Sequence, residues 1–342
     1  MIKQNKKVLV IRCGLLGDTV DATSVIQPLI ELYGSELEIH WVSKPGICDL
    51  FKYDSRINKV YQLKHTKLPF IFNIQKFNII LNSLFNPYEL IVNLEIGSKF
   101  NDIVKFSRSK NKIGMPYKYI KDDIFKEHRV EHQLRILDEL FNKYNKNNAK
   151  PSIVGIGIDH VIKKFPIENN YIVMCPTNSH IGNQNYRGYR SWPDNNWKDL
   201  ISRVLSETSL NILLVGAKNE KKYFNTFYPL QERIYDLSGQ TTIPELITIM
   251  ENSKCVVVTD SGSSHIAGAV AKNIIAIHGP TNFYQSAPYS TKYNNVKVAT
   301  LNLKCSPCSD TEVIKSCKKN ICMQDLNAEA VMELMTEFSL EN

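Results

Sequence analysis

Short apolar runs rich in β-branched residues alternate with helical patterns along both halves of this chain of 342 residues. The first half carries the runs KVLVIR, LEIHWVS, INKVYQL and YELIVNLE, and the second half carries YIVMCP, NILLVGA, RIYDLSG, KCVVVTD and NIIAIHG. Short buried strands that alternate with helices form parallel sheets joined by right-handed crossovers. The sequence therefore predicts an α/β fold with two Rossmann-like domains, whose parallel sheets face a central cleft.

A polar stretch broken by Pro and Gly, residues 145–168, separates the two series of strands. Such a stretch is typical of a domain boundary. We expect an N-terminal domain over residues 1–160 and a C-terminal domain over residues 161–342. The chain length fits this division, because domains commonly contain about 150 residues.

The composition is that of a soluble globular protein, with 43% hydrophobic residues. No apolar run approaches the roughly 20 residues that cross a bilayer. The basic start of the chain is similar to that of a signal peptide. However, its apolar run VLVI is very short and leads into Arg12, which favours a first β-strand. We therefore expect a cytoplasmic protein.

The formal net charge of +8 has two interpretations. It provides either a surface that keeps the protein soluble or an attraction for an anionic partner. A nucleotide-sugar, an acidic glycolipid or a bilayer surface would be such a partner. Nucleic acid is not expected, because the basic and aromatic residues form no stripe or binding motif typical of it.

The segment VVVTDSGSSHIAGAVAKNIIAIHGPT, residues 256–281, places polar residues at the ends of two successive strands. Gly262 allows a tight turn, and the helix that follows offers free amides and a dipole to an anion. The predicted site comprises Asp260, Ser261, Gly262, Ser263, Ser264 and His265, with Gly279, Pro280 and Thr281 from the next strand. The pattern favours a site for a phosphorylated sugar donor over a Ser-rich helix cap with a hydrogen-bonded His.

Gly14, Gly17 and Asp18 lie between the first strand and the first helix. The spacing resembles a dinucleotide fingerprint but lacks its third Gly, so it does not indicate NAD. Asp18 is either a helix cap or a general base that activates a hydroxyl group. Asp21, one turn further on, is expected to face solvent.

A long polar loop follows the first strand of the second half and carries Arg187 and Arg190. Arginine at the carboxyl end of a strand can bind phosphate oxygens in a bidentate manner. For Arg187 a solvated loop position is preferred.

Four cysteines are clustered near the C-terminus with the spacing C-x2-C-x8-C-x4-C. They are Cys305, Cys308, Cys317 and Cys322. Four thiolates can complete a tetrahedral zinc site, although this spacing is irregular for a zinc ribbon. The alternatives are a structural metal ion or four free thiols, and disulfides are not expected in the cytosol.

These motifs resemble those of the ADP-heptose:lipopolysaccharide heptosyltransferases, glycosyltransferase family nine. The resemblance covers nearly the whole chain, including VLVIRCGLLGDTVDAT, YELIVNLEIGSKF, NKIGMPY, RSWPDNNW, LLVGAKNE, TDSGSSHIAGAVA, IHGPT and CSPC. It implies a two-domain GT-B fold with an N-terminal acceptor-binding domain and a C-terminal donor-binding domain. Some relatives bind iron in a cysteine cluster, so zinc or iron is implied for segment 305–322.

The resemblance also assigns roles to individual residues. Asp18 looks like the catalytic base, and Arg190 stands where the family often has Lys against the donor phosphate. Thr177 and Asn178 resemble phosphate-side loop contacts, Glu220 a ribose ligand and Leu237 part of the adenine-edge segment.

The implied reaction is transfer of heptose from ADP-heptose to a lipopolysaccharide core by direct displacement, without a divalent metal or other catalytic cofactor. The implied location is the cytoplasm, with peripheral contact at the cytoplasmic face of the inner membrane. The alternatives are a family-nine transferase with another donor sugar or a protein or capsule acceptor, and a non-catalytic nucleotide-sugar binding protein.

Overall fold

The polypeptide divides between Val154 and Gly155 into two units, residues 1–154 and 155–342. This division lies within the polar stretch from which a boundary was predicted. The structure is a computed structural model. It describes residues 6–64, 67–117, 127–138, 148–167, 170–181, 186–224, 232–309 and 311–340.

The first unit is built on a five-stranded sheet in which every strand pairs in parallel, with the order β3-β2-β1-β4-β5. Its strands are β1 (Lys7–Ile11), β2 (Glu38–Ser43), β3 (Ile57–Gln62), β4 (Tyr88–Asn93) and β5 (Ser109–Gly114). The four residues from Val8 to Ile11 have no exposed surface. A central strand covered on both faces in this way explains the continuous apolar run VLVI.

Helices cover this sheet on both faces. The connection from β1 to β2 and the one from β3 to β4 run in opposite directions across the sheet, and right-handed crossovers then place their helices on opposite faces. They are α1 (Leu16–Ala22), α2 (Ile26–Tyr33), α3 (Ile74–Phe85), α4 (Asn101–Phe106) and α5 (Arg129–Asp138). The pattern of α5 predicts a helix over residues 129–144, and its last six residues lie outside the described residues. The core face predicted for this helix comprises Val130, Leu134, Leu137 and Leu140. The first three are buried as predicted, and Leu140 lies outside the described residues.

The second unit is built on a six-stranded parallel sheet with the order β11-β10-β9-β6-β7-β8. Its strands are β6 (Tyr171–Cys175), β7 (Asn211–Leu214), β8 (Ile234–Asp236), β9 (Val256–Thr259), β10 (Asn273–Ile277) and β11 (Asn295–Ala299). The predicted parallel α/β architecture is therefore confirmed in each unit. The edge strands β5 and β11 were not predicted.

The helices of the second unit alternate with its strands as far as β11, and three further helices follow β11. They are α6 (Ile158–Lys164), α7 (Asp194–Glu207), α8 (Lys221–Phe224), α9 (Ile243–Glu251), α10 (Gly262–Val270), α11 (Phe283–Ser286), α12 (Val313–Ser316), α13 (Ile321–Gln324) and α14 (Ala328–Thr336). In the described part of the chain, none of the helices has the length and apolar content that crossing a bilayer requires.

Gly114 ends β5 with a φ of +78°, and a Cβ built on it would lie 2.0 Å from the carbonyl oxygen of Asn93. Gly34 also has a positive φ, +93°, but a Cβ there would meet no atom within 4 Å. We expect Gly114→Ala to lower the free energy of unfolding by at least about 2 kcal/mol more than Gly34→Ala does. Urea denaturation measures both changes, and equal losses would contradict the close approach of β5 to β4.

Candidate active site

Segments that follow five neighbouring strands of the second unit carry all of its predicted ligand-binding residues. These strands are β10, β9, β6, β7 and β8. The residues, in the order of those strands, are Gly279, Pro280 and Thr281, then Asp260 to His265, then Thr177, Asn178 and Arg190, then Glu220, then Leu237. Because the strands are parallel, their carboxyl ends lie along one edge of the sheet, where ligands of open α/β sheets bind.

Helix α10 begins directly after the Asp-Ser turn, as the sequence predicts. Ser261 is its N-cap residue in extended conformation, but its side chain makes no capping hydrogen bond. The Ser261 Oγ is inaccessible and has no hydrogen-bond partner among the described residues. The buried Ser264 hydroxyl instead donates to the Ser261 carbonyl over 2.7 Å, so this hydroxyl stabilises the turn itself. The turn therefore offers first-turn helix amides at this edge of the sheet.

Asp260 is buried at the centre of a charged cluster. The Arg190 guanidinium lies 3.3 Å from the Asp260 carboxylate. Burial opposes ionisation of Asp260, but His278 and Arg190, together with a hydrogen bond from Thr281, outweigh it and lower the pKa of Asp260. Asp260 therefore stays ionised and holds Arg190 next to the first turn of α10.

His278 belongs to the same cluster, although the sequence did not single it out. Its Nδ1 lies 3.2 Å from the Thr281 hydroxyl, and the residue has no exposed surface. Burial lowers the pKa of His278, while the Asp260 carboxylate acts in the opposite direction. The signal in the sequence was its position, since His278 follows β10 just as Asp260 follows β9.

Hydrogen bonds connect the ends of β6 and β7. The Thr177 hydroxyl donates to the Glu220 carboxylate over 2.7 Å, and the Ala217 amide donates to the same oxygen over 3.0 Å. The Asn178 amide group donates to the Ser191 hydroxyl over 3.0 Å. Glu220 is buried and joins two loops at this edge of the sheet, and its role as a ribose ligand remains a prediction.

Leu237 follows β8 and is also buried, and its amide donates to the carbonyl of Leu214 at the end of β7 over 2.9 Å. Gly239 has a φ of +68°, and a Cβ there would lie 2.9 Å from the Cα of Lys218. Glycine is therefore needed where this segment passes the loop after β7.

The cysteine-rich segment, residues 305–322, supports two of these turns. The amides of Cys308 and Ser309 donate to the Pro280 carbonyl over 2.8 and 2.9 Å. The Tyr189 hydroxyl donates to the Cys317 carbonyl over 2.7 Å, next to Arg190 in the chain. The segment therefore fixes both the Gly-Pro-Thr turn and the turn that carries Arg190.

None of the four clustered cysteines forms a disulfide. Cys308 and Cys322 are buried, whereas Cys305 is exposed. Burial and the neighbouring Cys308 and Cys317 raise the pKa of Cys322 to about 11. Within the described ranges, no group of three or more His, Cys, Asp or Glu side chains is placed to hold a metal ion. The predicted zinc or iron site therefore gains no support from the arrangement of these sulfur atoms.

In the first unit, Asp18 lies in the first turn of α1, where two arginines hold its carboxylate. Arg12 lies 3.2 Å from Oδ1 and Arg129 3.3 Å from the same atom. The other oxygen, Oδ2, accepts a hydrogen bond from the Leu15 amide over 3.1 Å. Leu15, not Asp18, is the N-cap residue of this helix. The carboxylate is therefore fixed at both oxygens.

The Asp18 carboxylate lines a cavity of about 370 Å³ in the first unit. The other lining residues are Arg12, Cys13, Gly14, Leu15, Lys44, Glu95, Ile96, Gly97 and Lys99. Of these, the sequence had singled out only Gly14. Asp21, which was expected to face solvent, is instead buried, with 1% of its surface exposed, so that prediction was wrong.

Gly14 is needed for the position of Asp18. A Cβ on Gly14 would lie 2.8 Å from the Asp18 Cβ and 2.9 Å from its Oδ2. Both distances are shorter than ordinary contacts between non-bonded atoms, so a side chain on Gly14 would displace Asp18. The glycine at position 14 thus has a steric reason that does not involve a dinucleotide.

Two parallel-sheet α/β units are the architecture of the GT-B glycosyltransferases, and the fold of this chain is of that type. Residues 105–318 match the model of glycosyltransferase family 9 (heptosyltransferase), and the chain belongs to this family.

Known relatives and structures agree with this assignment. The chain is 22% identical over 354 residues to lipopolysaccharide heptosyltransferase 1 of Campylobacter coli, which covers 97% of this chain and 98% of that protein. It is 33% identical over 138 residues to lipooligosaccharide heptosyltransferase 2 of Campylobacter jejuni, but this match spans only 42% of that relative's length. The solved structure of ADP-heptose lps heptosyltransferase II from E. coli is similar in fold, with a TM-score of 0.76, 17% identity and 98% of each chain covered.

The cluster around Asp260 predicts a specific dependence of stability on pH. The pKa of Asp260 in the folded state lies below its ordinary value of 3.8. Its contribution to stability is therefore complete above that value and is lost as the pH falls through the folded-state pKa. We expect the wild type to lose more unfolding free energy than Asp260→Asn between about pH 5 and pH 3 in urea denaturation.

The matched control for this comparison is Asp199→Asn. The Asp199 side chain is 51% exposed on α7 and pairs with Arg203 in the same helix. This variant should follow the wild type over the whole pH range. If Asp260→Asn also follows the wild type, the depressed pKa of Asp260 is refuted.

Proposed function

We propose that this chain transfers a heptosyl group from ADP-heptose to the core of a lipopolysaccharide or lipooligosaccharide, with Asp18 as the general base. The observation that carries the proposal is the donor turn of the second unit, in a chain that belongs to glycosyltransferase family 9. There, Arg190 is held by Asp260 next to the first turn of α10. Heptose and lipopolysaccharide are proposed from the printed names of the relatives.

The donor turn has the chemistry that a sugar diphosphate requires. Helix amides donate hydrogen bonds and the helix dipole favours negative charge. Arg190 adds a cation, and its planar guanidinium can bind two phosphate oxygens at once. The protein therefore supplies positive potential for the diphosphate, and we propose that transfer needs no divalent metal.

The acceptor is proposed to bind in the Asp18 cavity of the first unit. Lys44, Lys99 and Arg12 give its wall positive charge, and Glu95 supplies a buried carboxylate. A phosphorylated or acidic glycan core has charges that would pair with these cations. The fixed position of the Asp18 carboxylate suits a group that must accept a proton from one hydroxyl.

The proposed reaction is a single displacement at the anomeric carbon. Asp18 takes the proton of the acceptor hydroxyl while the acceptor oxygen forms its bond to that carbon. The bond from the anomeric carbon to the diphosphate breaks, and ADP leaves with the bonding electron pair. The α10 amides and Arg190 stabilise the negative charge that grows on the leaving diphosphate.

Calorimetric binding tests the donor assignment. The titrants are ADP, UDP, GDP, CDP and ADP-heptose, each with and without Mg²⁺. We expect binding of ADP and ADP-heptose in preference to the others, unchanged by Mg²⁺. In Ser261→Arg the long side chain would occupy the turn before α10, and binding should be lost. Ser206→Arg, on the exposed face of α7, is the control and should bind as the wild type does.

The outcomes of this experiment separate the alternatives. Preference for another base would move the enzyme to another donor while keeping the Asp18 mechanism. Failure to bind any nucleotide would refute the donor site and favour a non-catalytic protein. Loss of binding when Mg²⁺ is withheld would refute the metal-independent mechanism.

Two substitutions test Asp18. Asp18→Asn should lower kcat by about a hundredfold or more, because a general base contributes on that order, while ADP binding is unchanged. Gly14→Ala should lower kcat by about tenfold or more by displacing the carboxylate. Gly97→Ala is the control, because Gly97 lines the same cavity and a Cβ there meets no atom within 4 Å. Full activity of Asp18→Asn under saturating donor would refute the base assignment.

A separate variant distinguishes catalysis from a merely structural role. Arg129→Gln removes one ion pair of Asp18 and leaves the carboxylate in place. If Asp18 served only to fix α1, Arg129→Gln and Asp18→Asn should lower the melting temperature and kcat in proportion. If Asp18 is the base, Asp18→Asn should lower kcat far more than its change in melting temperature would lead us to expect from Arg129→Gln.

A further inference from the structure

Helix α3 of the first unit is apolar on the face that it turns toward solvent. Its exposed apolar residues recur at i, i+3, i+7, i+10 and i+11, which places them along one side of a helix. They are Ile74, Phe77, Leu81, Leu84 and Phe85, with exposed fractions from 39% for Leu81 to 77% for Phe85. The opposite side of the helix is buried against the unit. A helix on the surface of a soluble protein usually has the reverse pattern, with polar residues outward.

The apolar face continues into the neighbouring elements. Exposed apolar side chains also stand at Leu68, Ile71 and Phe72 before α3, and at Phe106 at the end of α4. The ring of Phe70 packs against Phe106 with centroids 4.9 Å apart, which joins the two segments. We call this set the α3 surface, defined by Leu68, Ile71, Phe72, Ile74, Phe77, Leu81, Leu84, Phe85 and Phe106.

The α3 surface is not needed to hold the helix in place. Its buried side carries Lys76, whose side chain is 1% exposed. The Lys76 ammonium lies 2.9 Å from the Asp102 carboxylate and donates to the carbonyl oxygens of Leu68 and Lys99. This network, with the buried Ile79 and Ile80, attaches α3 to the rest of the unit. The outward side chains of α3 itself, from Ile74 to Phe85, are therefore not needed for that attachment.

Basic residues outnumber acidic ones around the α3 surface. Residues 64–89 contain three lysines and one acidic residue, Glu89, which pairs with Lys110 over 2.8 Å. Residues 97–117, which include α4, contain one acidic residue and five basic ones. The acidic residue is Asp102, which Lys76 neutralises. The basic ones are Lys99, Lys105, Arg108, Lys110 and Lys112.

We propose that the α3 surface docks the first unit on an anionic lipid bilayer. Contiguous exposed apolar residues mark interaction sites on soluble proteins. A helix that is apolar on one side, flanked by basic residues and aromatic rings, binds in the plane of a bilayer interface. Anionic lipids attract basic residues near the surface.

The basic residues around the α3 surface argue against a second copy of the chain as the partner. In a two-fold symmetric dimer the same surface meets itself, so the cations of one copy would face those of the other. An anionic bilayer instead carries charge opposite to that of these basic residues.

Docking on this surface would bring the Asp18 cavity close to the lipid. Lys76 of α3 donates to the carbonyl oxygen of Lys99, and Lys99 lines that cavity together with Ile96 and Gly97. Ile96 is itself exposed. If the acceptor is a lipid-anchored glycan, as the proposed function requires, the α3 surface would hold the cavity near the place where the acceptor is anchored.

Vesicle co-sedimentation with the full chain tests the docking surface. The probes are vesicles of phosphatidylcholine alone and of phosphatidylcholine mixed with phosphatidylglycerol. We expect the wild type to bind the mixed vesicles and to bind phosphatidylcholine at least about tenfold more weakly. Phe72→Ser/Phe85→Ser should weaken binding to the mixed vesicles by about tenfold or more. Lys67→Gln/Lys105→Gln should do the same, since each cation near the surface contributes about fivefold.

Leu32→Ser is the matched control. Leu32 is 44% exposed on α2. The crossover from β1 to β2 runs opposite to the one from β3 to β4, so α2 and α3 lie on opposite faces of the sheet. This variant should bind vesicles as the wild type does. Ile71→Ser/Leu84→Ser is a second variant of the surface and should reproduce the loss, with melting temperatures confirming that each variant folds.

Several outcomes would overturn the proposal. They are equal binding to both kinds of vesicle, retained binding in the Phe72/Phe85 variant, and loss of binding in Leu32→Ser. A wild-type dimer in lipid-free sedimentation that the same variant dissociates would assign the surface to a second copy instead. The assay contains no donor or acceptor. A chain that binds ADP-heptose but not vesicles would thus refute the docking surface alone.

Discussion

The parallel pairing of β9 with β6 on one side and β10 on the other is the constraint on which the donor turn depends. In this register Thr259 lies opposite Ile277, so Asp260 and His278 emerge side by side. Val258 lies opposite Cys175, which brings the loop after β6 to the same edge. A shift by one residue would exchange the side chains that pack on the two buried faces, so the close packing of both faces opposes it. The charged cluster is thus a consequence of the apolar core beneath it.

The same arrangement builds the cavity of the first unit. Ile11 at the end of β1 pairs with Asn93 at the end of β4, so the residues that follow lie together. Arg12 donates to the Leu94 carbonyl over 2.8 Å, and the Cys13 amide donates to Glu95 over 2.6 Å. Arg12 then reaches Asp18 in the next helix. Both candidate sites therefore lie where two buried strands end and polar residues begin.

The sequence was sufficient to predict the central strands and the alternation of strands with helices, because β-branched runs bounded by polar residues are typical of buried strands. It did not reveal the edge strands SKNKIG and NVKVA, whose polar residues are tolerated only because one side of each strand is unpaired. It did not reveal α3 either, since a helix apolar on both buried and exposed sides lacks a one-sided pattern.

The candidate sites were predicted where their residues are neighbours in sequence and missed where they are not. The turns at Asp18 and Asp260 carry local motifs. Arg129 lies 111 positions from Asp18 in the chain, and no local pattern joins them. His278 could be found only from the strand register. The burial of Asp21 runs against the general preference of carboxylates for solvent, so composition alone misplaces it.

The hydrogen bonds of the cysteine-rich segment have a consequence for local opening of the second unit. This segment holds the Pro280 carbonyl at one end and the Tyr189 side chain at the other. The Gly-Pro-Thr turn and the turn of Arg190 follow different strands, yet both are held by this segment. A fluctuation that detaches the segment would loosen both turns together, so their persistence depends in part on a stretch of chain outside the sheet.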